Sequence, residues 1–445
     1  AEHFDDAIGL PVSLDDRGDS AWVMNVETGI AERSKPGIRQ QQPEACGRCH
    51  SRRGILAQDY EYGKPLSDTH RVALLEQNLY YADGRILDEV YVYGSFVQSK
   101  MYAAGVTCSD CHNPHSGELR AGSNPNDTCS SCHLTSKFAN DTHAGAHSAQ
   151  CVDCHMPATT YMGVDDRRDH SFRLPGTAND PDHYGATIAA GRLGGAHDQL
   201  LEGIAKVSFP PIARATMLSL LEDIQDVEGQ TVLLQSLADP DPLIRIGALR
   251  ALRRQAPEIR LQNGSHLLRD PIRSVRVEAA LTFVDSRDLL PLEDSRAFPD
   301  AADDYRQAMT AAAAMPNAIL NLAEFETQLG NTKTAADLYE HAMRIADDSA
   351  LVHHAYGLYL VRSGQSAEAL KHLRRATALD PTVARFAYVY GVALNSLGKP
   401  DDALEILRNA HDQFPGHFDI GWALATIYRD AGDRRSARIT ALTLR

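Results

Sequence analysis

CVDCHMP, residues 151–157, sets two cysteines three positions apart with a histidine directly behind the second. The arrangement recurs as CGRCH at 46–50, CSDCH at 108–112 and CSSCH at 129–133, and the four copies use all eight cysteines. Three ordinary employments of paired cysteines compete. Disulfides within such pairs close tiny loops and constrain little of the unfolded chain. A two-knuckle zinc site fits the seventeen residues between Cys111 and Cys129. A thioredoxin-like redox pair occurs singly beside a βαβ pattern, which is absent here. The histidines decide. With 19 His in 445 residues, four independent pairs each followed by His arise by chance with probability on the order of 10⁻⁶. A Cys₄ zinc ribbon has no use for that histidine. A covalent c-type haem does: two thioethers anchor the porphyrin and the adjacent imidazole becomes the proximal iron ligand.

The expectation is four covalently attached haem c groups, held by Cys46, Cys49 and His50, by Cys108, Cys111 and His112, by Cys129, Cys132 and His133, and by Cys151, Cys154 and His155. Each iron has a sixth position, and the first 200 residues offer His3, His70, His115, His143, His147, His170, His183 and His197. Local context ranks these. His115 follows Pro114 in CHNPHS and is expected to reach a neighbouring haem. His70 lies in SDTHRV, where Ser67 or Asp68 would cap a helix. His143 and His147 share a helical face at i, i+4. Asp169 precedes His170 and is expected to orient its imidazole. Met101, Met156 and Met162 are the thioether alternatives, which would raise the potential.

Three of the motifs fall within the 47 residues from Cys108 to Cys154. So short a span forces the macrocycles together, and they are expected to form much of that segment's core. Turn-rich text such as NPHSG and GSNPND agrees.

After about residue 200 the sequence turns helical and periodic. Arg214, Arg245 and Arg276 recur every 31 residues, and DPDP and DPIR before the last two read as helix starts. This is a HEAT-like pattern of helical pairs. Then Gly330, Gly364, Gly398 and Gly432 recur every 34, followed at fixed offset by Ala335, Ala369, Ala403 and Ala437. Ala342, Ala376 and Ala410 continue three of the units, and Pro381 and Pro415 end two of them. Glycine closes the turn between two helices and small alanines let them approach, which marks tetratricopeptide repeats. Tyr356, Tyr359, Tyr388, Tyr390 and Trp422 are candidates to line a groove, although aromatics at helical spacing also serve as core. The expected fold is mainly α: a haem-packed, loop-rich cytochrome domain (1–190), then an α-solenoid of HEAT-like repeats (191–295) and tetratricopeptide repeats (296–445).

Net charge is −15 with a pI near 5.7, which disfavours nucleic acid as a partner. No apolar run is long enough to span a bilayer. The opening AEHFDD has no initiator Met and no signal-peptide pattern, and reads as a processed or partial chain.

Taken together, EACGRCHSRRG, DEVYVYGSFVQSKMYAAGVTCSDCHNPHS and QCVDCHMPATTYMGVDDRRDHSFR, followed by these repeats, resemble a family of bacterial multihaem cytochromes c with C-terminal tetratricopeptide domains. That family is grouped with the cytochrome c-554 and cytochrome c nitrite reductase-like proteins. The resemblance covers essentially the whole chain and implies an exported, periplasmic or extracellular, haem-loaded electron carrier. It implies His70, His115, His143 and His170 as distal ligands, with His147 as the alternative to His143. Relatives usually carry further CxxCH motifs upstream and another after the SFRLPG region, where this chain has GTANDPDHYG. The haem array is therefore reduced here, or the chain is part of a longer precursor.

Two functions follow. One is electron transfer along closely packed bis-histidine haems, with the repeats docking redox partner proteins or further copies of the chain, as in a filament. The other is a reductase of a small nitrogen or sulfur oxyanion at an open iron, with Arg52, Arg53, Arg167, Arg168 and Tyr161 stabilising developing charge. No CxxCK occurs, and sixth ligands are plentiful, so the non-enzymatic electron-transfer reading is favoured.

Overall fold

The computed structural model describes residues 20–35, 41–114, 116–138, 150–161, 163, 165–175, 183–221, 224 and 226–442, with only the backbone of Tyr161 and Asp165. His3, His115, His143, His147 and Met162 lie outside them. The chain is mainly helical and divides into two compact units, with the break between Ala311 and Ala312. Position 190/191 falls inside helix Tyr184–Leu193, and 295/296 falls inside helix Leu292–Ala311.

In the first unit the CxxCH segment is built of short pieces. Antiparallel two-stranded ribbons pair Trp22–Asn25 with Ile30–Arg33, Arg53–Ile55 with His70–Val72, and Ala158–Tyr161 with Asp165–Arg168. Its aliphatic core comes from one stretch: Leu56, Leu66, Leu74, Leu75, Tyr80 and Val90 are all buried. The described residues from 98 to 175 carry three CxxCH motifs, yet Val152 is their only buried apolar side chain.

The helices that follow explain the 31-residue period. Arg245 donates to the Asp239 and Pro240 carbonyls and to the Asp270 carboxylate; Arg276 repeats this with the Asp270 and Pro271 carbonyls and Asp304. Arg214 stands 3.6 Å from Asp239. Arg245 and Arg276 thus each pin the loop before their own helix to an acid about one repeat onward through charge-assisted bonds, while Arg214 donates to the Ile204 carbonyl of the preceding helix. Asp241 caps helix Pro242–Leu252 through the Leu243 amide at 2.8 Å, with Pro242 at its first position. In DPIR the helix begins later, at Arg273, and Asp270 accepts from the Ile272 amide instead.

The second unit is four helical pairs: Pro316–Gln328 with Thr332–Ile345, Ala350–Arg362 with Ser366–Leu379, Ala384–Ser396 with Pro400–Gln413, and Phe418–Asp430 with Arg434–Leu442. Gly330, Gly364, Gly398 and Gly432 sit in the intervening turns at φ between 73° and 83°, a region that penalises any Cβ. Ala335, Ala342, Ala369, Ala376, Ala403 and Ala410 are buried where paired helices meet, whereas Ala437 is half-buried in the last helix. Tyr359 is core, stacked with Tyr339 at 4.6 Å. Tyr356 packs half-buried on the same cluster, and Tyr388 and Tyr390 on the next. Of the five aromatics expected at a groove, Trp422 alone is largely exposed, and it lies parallel to exposed Phe418.

Candidate haem-binding site

Each motif rides on a short helix: Gln41–His50, Cys108–Cys111, Pro125–Ser130 and Cys151–His155. Local sequence closes them. In CSDC the Asp110 carboxylate folds back to accept from the Thr107 amide at 2.8 Å, and in CVDC Asp153 accepts from the Gln150 amide at 3.2 Å. Asn124 caps the third helix ahead of Pro125. Arg168 grips the far end of Cys151–His155, donating to the Val152 and Met156 carbonyls.

The helices associate in two couples. Gln42 and Ser109 exchange side-chain and backbone hydrogen bonds at 2.9 and 2.8 Å, joining the first motif to the second. Here the Cys108 thiol interacts with Cys46, lowering Cys46 to about 7 and raising Cys108. The Asn126 side chain accepts from the Cys151 amide at 2.9 Å, joining the third motif to the fourth. Burial holds the Cys111 and Cys129 thiols up, at about 12 and about 11. Among the described residues, no three of His, Cys, Asp and Glu converge as a metal cage of the kind a two-knuckle zinc site needs.

Two of the imidazoles are anchored through Nδ1 to backbone carbonyls. The His155 Nδ1 lies 2.7 Å from the Arg173 carbonyl, and the His170 Nδ1 lies 2.9 Å from the Arg168 carbonyl. A carbonyl only accepts, so each Nδ1 carries the hydrogen and each Nε2 keeps its lone pair. The Asp169 carboxylate, expected to orient His170, instead accepts from the Ser171 amide and hydroxyl and from Arg173. His70 opens the strand His70–Val72, is buried, and has its Nδ1 2.9 Å from the Thr69 hydroxyl. Burial, with Arg53 and Arg48 nearby, pushes it down to about 4, so it is a neutral donor at neutral pH. Neither Ser67 nor Asp68 caps the preceding helix Leu66–Thr69: the Glu44 carboxylate accepts from the Leu66 amide at 2.6 Å, and Asp68 accepts from the Arg273 amide. His133 is likewise lowered by burial. His112 and His170 have ring centres 6.4 Å apart and planes at 27° to each other.

Two sequence candidates have other work. His183 caps helix Tyr184–Leu193 through the Gly185 amide, and His197 pairs with Asp226 at 2.7 Å. Met101 and Met156 are half-buried. Of the groups considered for an oxyanion, Arg167 pairs with Glu89 and covers Tyr91, Arg168 holds the motif helix, and Arg52 is exposed.

The haem region also holds cations that sequence reading missed. Among the described residues, the Nε and one terminal nitrogen of Arg33, the Nε of Arg48 and of Arg53, and both terminal nitrogens of Arg173 are buried without a hydrogen-bond partner, although Arg33 lies over Trp22 and 3.7 Å from Asp110, Arg48 lies over Tyr60, and one terminal nitrogen of Arg173 stands 3.7 Å from Asp83. Only Arg53 is a candidate from the sequence, and no local pattern marks the others. Buried orphan donors are costly, and guanidinium forks match carboxylates; haem propionates are such partners. The thiol pairs, the carbonyl-anchored imidazoles, these donors and the dearth of buried apolar side chains among the described residues from 98 to 175 together fit covalently bound haem.

A family described as a doubled CXXCH motif matches residues 100–138, and tetratricopeptide-repeat families match 312–382, 355–418 and 394–445. The chain carries both signatures. No curated protein matches it. Among solved structures it is similar to MamA at 19% identity, over 35% of this chain and 93% of that one, with a TM-score of 0.29. It is also similar to YrrB, described as a TPR protein with an unusual peptide-binding site, at 22% identity over 37% and 84%, TM-score 0.28. PilF of Pseudomonas aeruginosa aligns at 19% identity over 40% and 76%, TM-score 0.32.

Proposed function

We propose that this chain is an exported multihaem c-type cytochrome of the cytochrome c-554 and nitrite reductase-like group. It carries four haems, working as an electron-transfer protein in the periplasm or at the cell exterior. The observation that carries the reading is the association of CxxCH helices in couples, three of the motifs lying between residues 98 and 175, where Val152 is the only buried apolar side chain among the described residues. Haem c, when bound, supplies a one-electron iron centre whose potential follows its axial ligands. His50, His112, His133 and His155 serve as proximal ligands; His70 and His170, with His115 and His143 or His147, serve as distal ones. Carbonyl-anchored Nδ1 atoms fix the tautomer and aim of His155 and His170, while Arg33, Arg48, Arg53 and Arg173 take the propionates. Arg167 and Arg168, two of the four arginines considered for an oxyanion, are committed elsewhere, which favours electron transfer over reduction of a small substrate. The tetratricopeptide unit docks a redox partner or another copy of the chain.

The test is intact mass and ferric spectroscopy on chain expressed with haem-attachment machinery. The expected result is the mass of four haems, wholly low-spin iron, and a spectrum unchanged by nitrite, hydroxylamine or carbon monoxide. A high-spin fraction near one quarter would instead mean an open iron and restore the reductase; a colourless chain of bare polypeptide mass ends the reading.

A further inference from the structure

We infer that His112 and His170 are the two axial ligands of one iron, that of the haem attached at Cys108 and Cys111. The inference rests on the haem reading above and extends it to a specific pair. A metal–imidazole bond of about 2 Å, with about 1.2 Å from nitrogen to ring centre, sets axial imidazoles roughly 6.4 Å apart centre to centre. The His112–His170 separation is 6.4 Å. The two rings reach this spacing from unrelated parts of the chain. His112 follows the helix Cys108–Cys111, whereas His170 leaves the end of strand Asp165–Arg168.

The turn that delivers His170 is rigid. Asp169 ties Ser171 and Arg173 by three hydrogen bonds of 2.8–3.2 Å. Phe172 sits at φ +49°, costly for a residue with a Cβ and the kind of local strain that collects at functional sites. Its ring meets His170 edge-on at 6.0 Å and Phe96 at 6.5 Å. With Nδ1 held by the Arg168 carbonyl, the His170 Nε2 is the atom left to bind iron. The same turn supplies the Arg173 carbonyl that orients His155, so one five-residue segment serves the second motif and the fourth.

The 27° angle has a spectroscopic consequence. Nearly parallel imidazole planes split the two iron orbitals of π symmetry, which makes the ferric low-spin resonance rhombic; perpendicular planes leave it strongly axial. The test uses the full haem-loaded chain, with haems counted by mass. In His170→Gly, one haem equivalent turns high-spin with no loss of haem, the resonance lost in the difference spectrum is rhombic, and added imidazole restores it. In a Cys108→Ala, Cys111→Ala background, one haem lighter, His170→Gly changes the spin state no further. Should the glycine variant fail to fold, His170→Met keeps a ligand: one haem stays low-spin at a raised potential, and that shift vanishes in the same background. High-spin iron, or a Met-induced shift, that persists in that background overturns the pairing while leaving the haem reading intact, and so does a strongly axial lost signal. A chain without haem mass overturns both.

Discussion

His354 is only 5% exposed, stands against Phe386 at 4.7 Å, and has neither ring nitrogen partnered among the described residues. Burial, with Arg385 adding to it, pushes its pKa down to about 4. The folded value lies below the unfolded 6.5, so the unfolded chain takes up the proton first. Stability is therefore full above about pH 6.5 and falls toward pH 4, by up to about 1.4 kcal/mol per pH unit. Nearby, His353 donates from Nε2 to the Asp347 carbonyl, so its Nδ1 accepts from the His372 Nδ1 at 2.9 Å. His372 is lowered by burial and by His353, against the opposing pull of Glu368, and adds to the same trend. The protection of amides in helix Ala350–Arg362 against hydrogen exchange, taken relative to the intrinsic rate at each pH, is expected to fall between pH 7 and pH 5, and His354→Leu to flatten that response; a flat wild-type profile would contradict it. At this scale the proximal histidines were legible, because covalent chemistry dictates their spacing. That a backbone carbonyl and not Asp169 orients His170 was not, because the hydrogen bond depends on how the turn closes.

At the scale of elements, helix packing depends on close approach. A Cβ at Gly247 would stand 2.5 Å from the Ala215 carbonyl oxygen, an immobile backbone atom. Gly247→Ala is expected to cost about 2–3 kcal/mol in chemical denaturation. At Gly391 the obstacle is Leu407 Cγ at 2.5 Å, a fully buried side chain. Gly391→Ala should cost less, about 1–2 kcal/mol, because a leucine side chain yields where backbone cannot; alanine's helix propensity returns about 1 kcal/mol at both sites. Equal costs at both sites would contradict the distinction. The 34-residue period announced the turn glycines; it gave no sign of Gly247, whose role is a contact between helices far apart in sequence.

Across the first unit, the CxxCH segment is fastened to the helices that follow. The Leu75 amide donates to the Thr216 hydroxyl at 3.0 Å, with both residues buried. Arg192 donates to the Leu75 and Tyr80 carbonyls, and Arg273 pairs with Asp59 at 2.7 Å. Thr216→Val keeps the shape but orphans the buried amide, and is expected to cost about 1–3 kcal/mol. Haem absorbance and helical circular dichroism should then move together to a lower midpoint. Separate transitions would mean that the two halves of this unit unfold independently.

What the sequence by itself determined is whatever repeats locally: the thiol–thiol–imidazole spacing of the four motifs, the mainly helical class, and the periods of 31 and 34. Such features follow from covalent reach and helical geometry, which neighbouring residues set among themselves. Only the tertiary structure decided which imidazoles come close together, which guanidinium nitrogens are buried without a hydrogen-bond partner among the described residues, and that the compact units part at 311/312. These depend on residues distant in the chain, brought together by many small packing and hydrogen-bonding energies that no short pattern encodes.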